Sequence, residues 1–323
     1  MRVRVGFDVS PLAQTEAGTA RHVRGLLHAL DGRADLELRP LRFGGRGRVA
    51  TVARDAYWYP LGMSRRSERY DVLHCTTFRG PYRARCPVVL TVHDLAVLRH
   101  PEVFKPWHRL TAKAALEGSR LAAAIVAVSE FTRDEAVELL GVKPERVRIV
   151  PNGVEPVFTA EGPSADGDYV LAVGTLEPRK NLGRVVEAAK LAGIELRVVG
   201  ARGWGGVDVP GWVGRASDEE LAALYRGARC VVYASLYEGF GLPVLEAMAS
   251  GVPVVTSAGG ATEEIAGGAA VLVDPLDVDA IAGGIAEADR RRGELVPRGL
   301  EQARRFTWSA AADLVANLWH ELL

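Results

Sequence analysis

"LYEGFGLPVLEAMASGVPVV" occupies residues 236–255, between the β-branched runs "CVVYAS" (230–235) and "VPVVTS" (252–257). The order is strand, glycine turn, helix, strand, the repeating unit of a parallel sheet with crossover helices. Gly239-Phe240-Gly241 makes the turn, and Pro243 suits the first helical position, where a missing N–H costs nothing. The N–H groups of Phe240, Gly241 and Leu242 then gather at a positive helix end, an anion site suited to a phosphate. Glu246 lies one turn into the helix and leans back toward its start, where it can accept hydrogen bonds from paired hydroxyls such as those of a ribose. Glu238 stands on the other side of the turn, where a sugar attached to the phosphate would lie. Complementing the helix dipole would account for one acid. It does not account for a glycine turn set between two.

The same alternation extends both ways. Upstream, "VRVGFDV", "LELRPL", "DVLHC", "VVLTVHD" and "AIVAVS" read as strands, with helices over 19–30, 107–122 and 131–140. The stretch "TAEGPSADGD" (159–168) has the Gly/Pro/Ser/Asp content of a linker. The pattern then restarts with "YVLAVGT", a helix over 181–192, and "ELRVVGA". A capping box at Ser217 and Glu220 opens another helix, and "AAVLVDP" closes the set of strands. Two doubly wound α/β domains are expected: residues 1–158 joined by a C-terminal helix over 307–323, and residues 168–306. Such sheets bind ligands at the carboxyl ends of their strands, which places the expected site in a cleft between the domains.

Composition agrees. A chain of 323 residues suits two domains of about 150 each. Its 48% apolar and 25% charged content is globular. Forty basic residues balance forty acidic ones, so no global field favours nucleic acid. Cys75, Cys86 and Cys230 form no C-x-x-C pair, which argues against a disulfide framework or a zinc site. The opening "MRVRVGFDVS" reads as a strand, not a signal peptide, and no run approaches the roughly 20 apolar residues of a spanning helix. A cytoplasmic protein is expected.

"VGTLEPRKN" (173–181) also joins a strand to a helix. Arg179 and Lys180 fall at the start of that helix, where cations oppose the macrodipole and need an external reason. A diphosphate would supply one.

"EGFGLPVLEAMASGVPVV" resembles the E-x7-E signature of retaining GT-B glycosyltransferases of the glycogen-synthase-like superfamily, glycosyltransferase family four. "VGTLEPRKNL" is similar to the phosphate-binding stretch of its mannosyltransferase-like members. "DVSPLAQTEAGTARHV" matches the N-terminal glycine loop, "TVHDL" the histidine motif, and "VSEFTRDE" and "VPNGV" the end of the first domain. The resemblance spans the chain. It implies a sugar nucleotide bound mainly by the second domain and an acceptor held mainly by the first. Glu246 would bind the donor ribose and Glu238 the transferred sugar. Phe240, Gly241 and Leu242 would offer backbone amides to sugar and phosphate, and Arg179 and Lys180 would neutralise the leaving diphosphate. Gly18 would let backbone approach that diphosphate, His93 would hydrogen-bond the donor sugar, and backbone near Val213 would meet the nucleobase. Many members carry arginine where this chain has Thr175, leaving the anion to Arg179 and Lys180. The C-terminal helix "FTWSAAADLVANLWHELL" would cross back to the first domain, with Trp308, Leu314, Leu318 and Trp319 as anchors.

Other features read as structure. Asp277–Asp279, "DVD", precedes a helix and serves as a cap, not a metal site. "FGGRGR" (43–48) is a glycine loop without the rest of a nucleotide fingerprint. "VARDAYWYPLGMSRR" reads as helix core with solvated arginines, an acceptor or membrane-surface patch being the other reading. The expected activity is metal-independent transfer of a hexose, mannose favoured, from a nucleoside-diphosphate sugar to a hydroxyl with retention of configuration. GDP-mannose is the favoured donor and a UDP-sugar the second. The acceptor would be a saccharide, a lipid-linked group or a small molecule, with no cofactor, no nucleic acid, and peripheral contact with the inner membrane face open. A UDP-sugar epimerase of the same fold and a non-catalytic sugar-binding protein are the alternatives.

Overall fold

The apolar runs of the first half form six parallel strands in the computed structural model, which describes residues 2–15, 18–45, 47–104, 106–203 and 209–323. They are β1 (Val3–Asp8), β2 (Leu36–Leu41), β3 (Val72–Cys75), β4 (Val88–Val92), β5 (Ala124–Ala127) and β6 (Val147–Ile149). Their order is β2-β1-β3-β4-β5-β6. β3, β4 and β5 are buried at every position, as expected of strands covered by helices on both faces. The helices are α1 (Gly18–Leu30), α2 (Arg48–Ala53), α3 (Met63–Arg66), α4 (Ala96–Arg99), α5 (Pro106–Leu121) and α6 (Glu130–Leu140), with π-helical turns over Arg54–Gly62 joining α2 to α3. Strand order reverses between β1 and β3, which marks the place where such a sheet opens a binding crevice.

The second half builds a second sheet from β7 (Tyr169–Val173), β8 (Glu195–Val199), β9 (Trp212–Gly214), β10 (Val231–Tyr233), β11 (Val254–Ser257) and β12 (Val271–Val273). The order is β12-β11-β10-β7-β8-β9, so the switch point lies between β7 and β10. Its helices are α7 (Leu182–Leu191), α8 (Asp218–Gly227), α9 (Leu242–Ala249), α10 (Ala261–Ala266), α11 (Val278–Arg290) and α12 (Arg292–Arg304). The Ser217–Glu220 capping box forms as the spacing predicts, and the Asp277 carboxylate caps α11 by accepting from the Ala280 N–H at 3.1 Å. β9 was not legible as a strand: it has three residues, glycine on either end of its core, and a register irregularity against β8.

Contacts divide the chain into Met1–Gly153 with Thr307–Leu323, and Val154–Phe306. Residues 154–158 therefore group with the second unit, where the sequence reading had put them in the first. Phe158 is the reason: it is buried against Tyr225, ring centroids 5.7 Å apart. The expected linker is irregular but not loose. Arg226 on α8 donates to the carbonyls of Pro163 and Thr159 at 2.6 and 3.1 Å, which pins the stretch down.

The last helix, α13 (Trp308–Glu321), belongs to the first unit. Trp308, Ala312, Val315, Leu318 and Trp319 join the core that contains Val5, Phe7 and Leu26. Trp319 is fully buried, edge-on to Phe7 and His74 at 6.1 and 5.6 Å. Gly25 is required here, because a Cβ would lie 2.2 Å from the Trp308 ring. Leu314 is no anchor: it is 46% exposed, since the helical period turns it about 140° away from Trp319, at the middle of the buried face. Two parts of the expected glycine loops, residues 16–17 and Arg46, lie outside the described residues.

Candidate active site

β7 and β10 are neighbours, so the segments leaving their carboxyl ends meet. The first carries Arg179 and Lys180. They sit in a short 3-10 turn, Pro178–Lys180, one residue before α7 and not in its first turn as the spacing had suggested. Asn181 separates the two elements in a left-handed conformation, φ 57°, the one non-glycine residue with positive φ among those described. Its side chain holds the bend: Nδ2 donates to the carbonyls of Ala234 and Pro275 at 2.9 and 2.6 Å. The Leu236 N–H donates to the Arg179 carbonyl at 2.9 Å, closing one segment on the other. Gly174 keeps room for the lysine, since a Cβ there would lie 3.2 Å from Lys180 Cδ.

Glu238 lies between the two cations. Its carboxylate accepts from Lys180 Nζ at 2.6 Å and from Arg179 Nη1 at 2.8 Å. Arg179 also donates to Glu177 at 2.7 Å and to the Tyr237 carbonyl at 2.8 Å, and Lys180 to the Tyr233 hydroxyl at 2.8 Å. The external reason sought for the two cations is thus partly internal, with Glu177 and Glu238 balancing them. Burial pushes the Glu238 carboxyl up, but the charges of Lys180 and Arg179 outweigh it and hold the pKa at about 2. Burial lowers the Lys180 ammonium, with Glu238 acting against that. Glu238 is therefore a fixed carboxylate at neutral pH. It is no proton donor, and with both oxygens occupied it is a poor nucleophile.

The turn after Glu238 enters α9 through Gly241, φ 115°, with Pro243 in the first turn. No carbonyl or carboxylate among the described residues accepts from the N–H groups of Phe240, Gly241 or Leu242. One turn on, Glu246 is 2% exposed, and its carboxylate accepts from the Tyr225 hydroxyl at 2.9 Å. That bond orients the acid from α8. Fixed cations, a helix N-terminus and an anchored carboxylate thus share one loop system, an arrangement with the chemistry to take a phosphate beside hydroxyl groups.

In the first unit, His93 follows β4 and donates from Nε2 to the Thr76 carbonyl at 3.0 Å. A carbonyl can only accept, so the proton is on Nε2 and Nδ1 offers a lone pair. Burial keeps the ring neutral, with its pKa lowered to about 4. His22 on α1 meets it edge-on at 4.7 Å and bonds through Nδ1 to Asn152 Oδ1 at 2.7 Å. Asp8, at the end of β1, has its carboxyl pushed up by burial to about 6. It accepts from the Ser10 N–H at 3.0 Å and the Tyr59 hydroxyl at 3.3 Å.

The structure gathers Arg179, Lys180, Glu238, Phe240, Gly241, Leu242 and Glu246 in one place. Val213 lies on the edge strand β9, half exposed. Gly18 begins α1, directly after residues outside the description. Sequence reading missed Glu177, Asn181, Tyr225 and Tyr233, and kept His22 as a plain structural residue. Glu177 had a visible signal, an acid two residues before Arg179. Asn181 had another, since asparagine tolerates the left-handed region.

Comparison with known proteins agrees with this geometry. Residues 6–158 match the family model Glycosyltransferase Family 4, and residues 155–304 match Glycosyl transferases group 1. The chain is 34% identical over 282 residues to the O-antigen chain mannosyltransferase B of Escherichia coli, covering 77% of this chain and 74% of that one. Among solved structures it resembles sucrose-phosphate synthase from Thermosynechococcus elongatus, with TM-score 0.76, 20% identity and 99% of both chains covered. It also resembles Anabaena HepE in complex with UDP-glucose, with TM-score 0.73, 17% identity, and 99% of this chain and 100% of that one covered. The fold is that of the two-unit α/β glycosyltransferases. The chain belongs to glycosyltransferase family 4 and is a glycosyltransferase.

Proposed function

We propose that this enzyme transfers a hexose, mannose in the first place, from a nucleoside-diphosphate sugar to a hydroxyl with retention of configuration. The observation that carries this is the Arg179–Glu238–Lys180 cluster beside the unpartnered N–H groups of Phe240, Gly241 and Leu242. The donor diphosphate would take those N–H groups and the two cations. Glu246, held by Tyr225, would accept from the ribose hydroxyls. Glu238 would face the hexose, and His93 Nδ1 would accept from a substrate hydroxyl. GDP-mannose is the favoured donor, supported by likeness to a mannosyltransferase; UDP-sugars come second, supported by likeness to a protein solved with UDP-glucose.

With Glu238 tied up as an ion-paired carboxylate, a front-face route fits best. The bond from the anomeric carbon to the leaving phosphate oxygen breaks as the acceptor oxygen bonds on the same face. The acceptor's proton passes to that phosphate oxygen. Growing phosphate charge is met by groups already in place, which lowers the barrier without reorganisation. The helix N-terminus and the two ion-paired cations would meet that charge, and the route proposed uses no metal. The acceptor class is a saccharide, a lipid-linked group or a small alcohol. The test is turnover of GDP-mannose and UDP-glucose with simple glycosides, reading the product anomer by NMR. Retained configuration is expected. An inverted product would end the front-face account, and a free epimerised sugar with no glycoside would end the transfer reading.

A further inference from the structure

Between β2 and β3 the chain runs through α2, the π-helical turns and α3, and one side of this segment is apolar and open to solvent. Val49 is 84% exposed, Val52 60%, Tyr57 41% and Leu61 50%. Their spacing follows the helix, tight through α2 and wider through the π turns, so they lie along one face. The opposite side is core. Trp58, Tyr59 and Met63 are buried, Phe43 stacks on Trp58 at 5.0 Å, and the Arg66 guanidinium lies over Trp58 at 4.7 Å. The exposed side chains thus stand on a packed platform, not on a frayed end.

Charge sets this segment apart from the rest of the chain. Residues 42–69 contain seven arginines and two acids, in a chain whose bases and acids balance overall. Of the two acids, Asp55 is paired with Arg54 at 3.4 Å and Glu68 with Arg85 at 3.0 Å. Arg42, Arg65 and Arg69 are exposed. A second copy joined here about a two-fold axis would set arginines against arginines. Nucleic acid would use the arginines but has no use for exposed valine and leucine. An anionic bilayer uses both, taking apolar side chains into the headgroup boundary and guanidiniums onto lipid phosphates. No helix among the described residues is long and apolar enough to cross a membrane, so the segment would lie on the surface.

We propose that this face docks the protein on an anionic phospholipid bilayer. The test is co-sedimentation of the full chain with vesicles of phosphatidylcholine, alone or with about a third phosphatidylglycerol. Binding is expected to the mixed vesicles only, with release at about 0.5 M salt, where screening is short-ranged. A Val49→Ser/Val52→Ser/Leu61→Ser variant and an Arg65→Glu/Arg69→Glu variant should each weaken partitioning by about tenfold or more. Circular dichroism and GDP affinity should stay unchanged, showing that both variants fold. Equal binding to neutral vesicles would overturn the proposal. So would variants that partition like the parent, displacement of vesicles by an oligonucleotide, or lipid-free self-association that the variants abolish.

Discussion

Glu238→Gln keeps the shape of the side chain and removes the charge that holds Arg179 and Lys180 together. The carboxyl's pKa falls from an ordinary 4.5 to about 2 on folding, which corresponds to about 3 kcal/mol at neutral pH. Its side chain is only 10% exposed, so solvent screening takes little from that figure, and removing one partner of a buried pair commonly costs about 3–5 kcal/mol. The sign follows from the lowered pKa. The stabilisation is complete above the unfolded value and is lost as pH falls toward the folded one, so that roughly half of it remains near pH 3. At neutral pH the variant's second unit should therefore melt about 6–12 °C below the parent. Scanning calorimetry at neutral pH and near pH 3 checks this, with the gap between the proteins expected to roughly halve in acid. A variant as stable as its parent at neutral pH, or a gap that ignores pH, would refute the reasoning.

Replacing Arg179 and Lys180 together with methionine should lower kcat more than donor affinity, because phosphate charge grows toward the transition state; steady-state kinetics beside GDP titration separates the two. Turnover should survive EDTA, the positive charge being supplied by the protein, and loss of activity restored by a divalent ion would contradict this. Trp319→Ala should cost about 3–5 kcal/mol. Hydrogen exchange should then show lost protection in β1 and α1 and none lost in β7–β12; the reverse pattern would remove α13 from the first unit's stability.

The alternation of strands and helices was legible because strands buried on both faces are written as β-branched runs, "VVLTV" and "VLHC" among them. The mouth of α9 was legible too, since a glycine turn, a proline and two acids at fixed spacing have few other uses. What lay beyond reach was contact across space. Nothing in "DEELAALYRGA" says that Tyr225 will reach Glu246, a bond made only when α8 and α9 pack together. The pairing of Lys180 with Glu238 joins residues 58 apart in sequence. It depends on β7 and β10 being neighbours, which local patterns do not specify. β9 failed for a different reason, being too short to show a period of two.

The account rests on the helix mouth as the donor's seat, and calorimetric titration of GDP-mannose into the parent and Glu246→Ala proteins tests it most directly. Loss of a charged hydrogen bond worth about 1.5–3 kcal/mol should weaken binding by roughly 10- to 150-fold, with the circular dichroism spectrum unchanged. Equal affinity in the two proteins would contradict the assignment of Glu246 to the ribose, and with it the placing of the diphosphate at Phe240–Leu242.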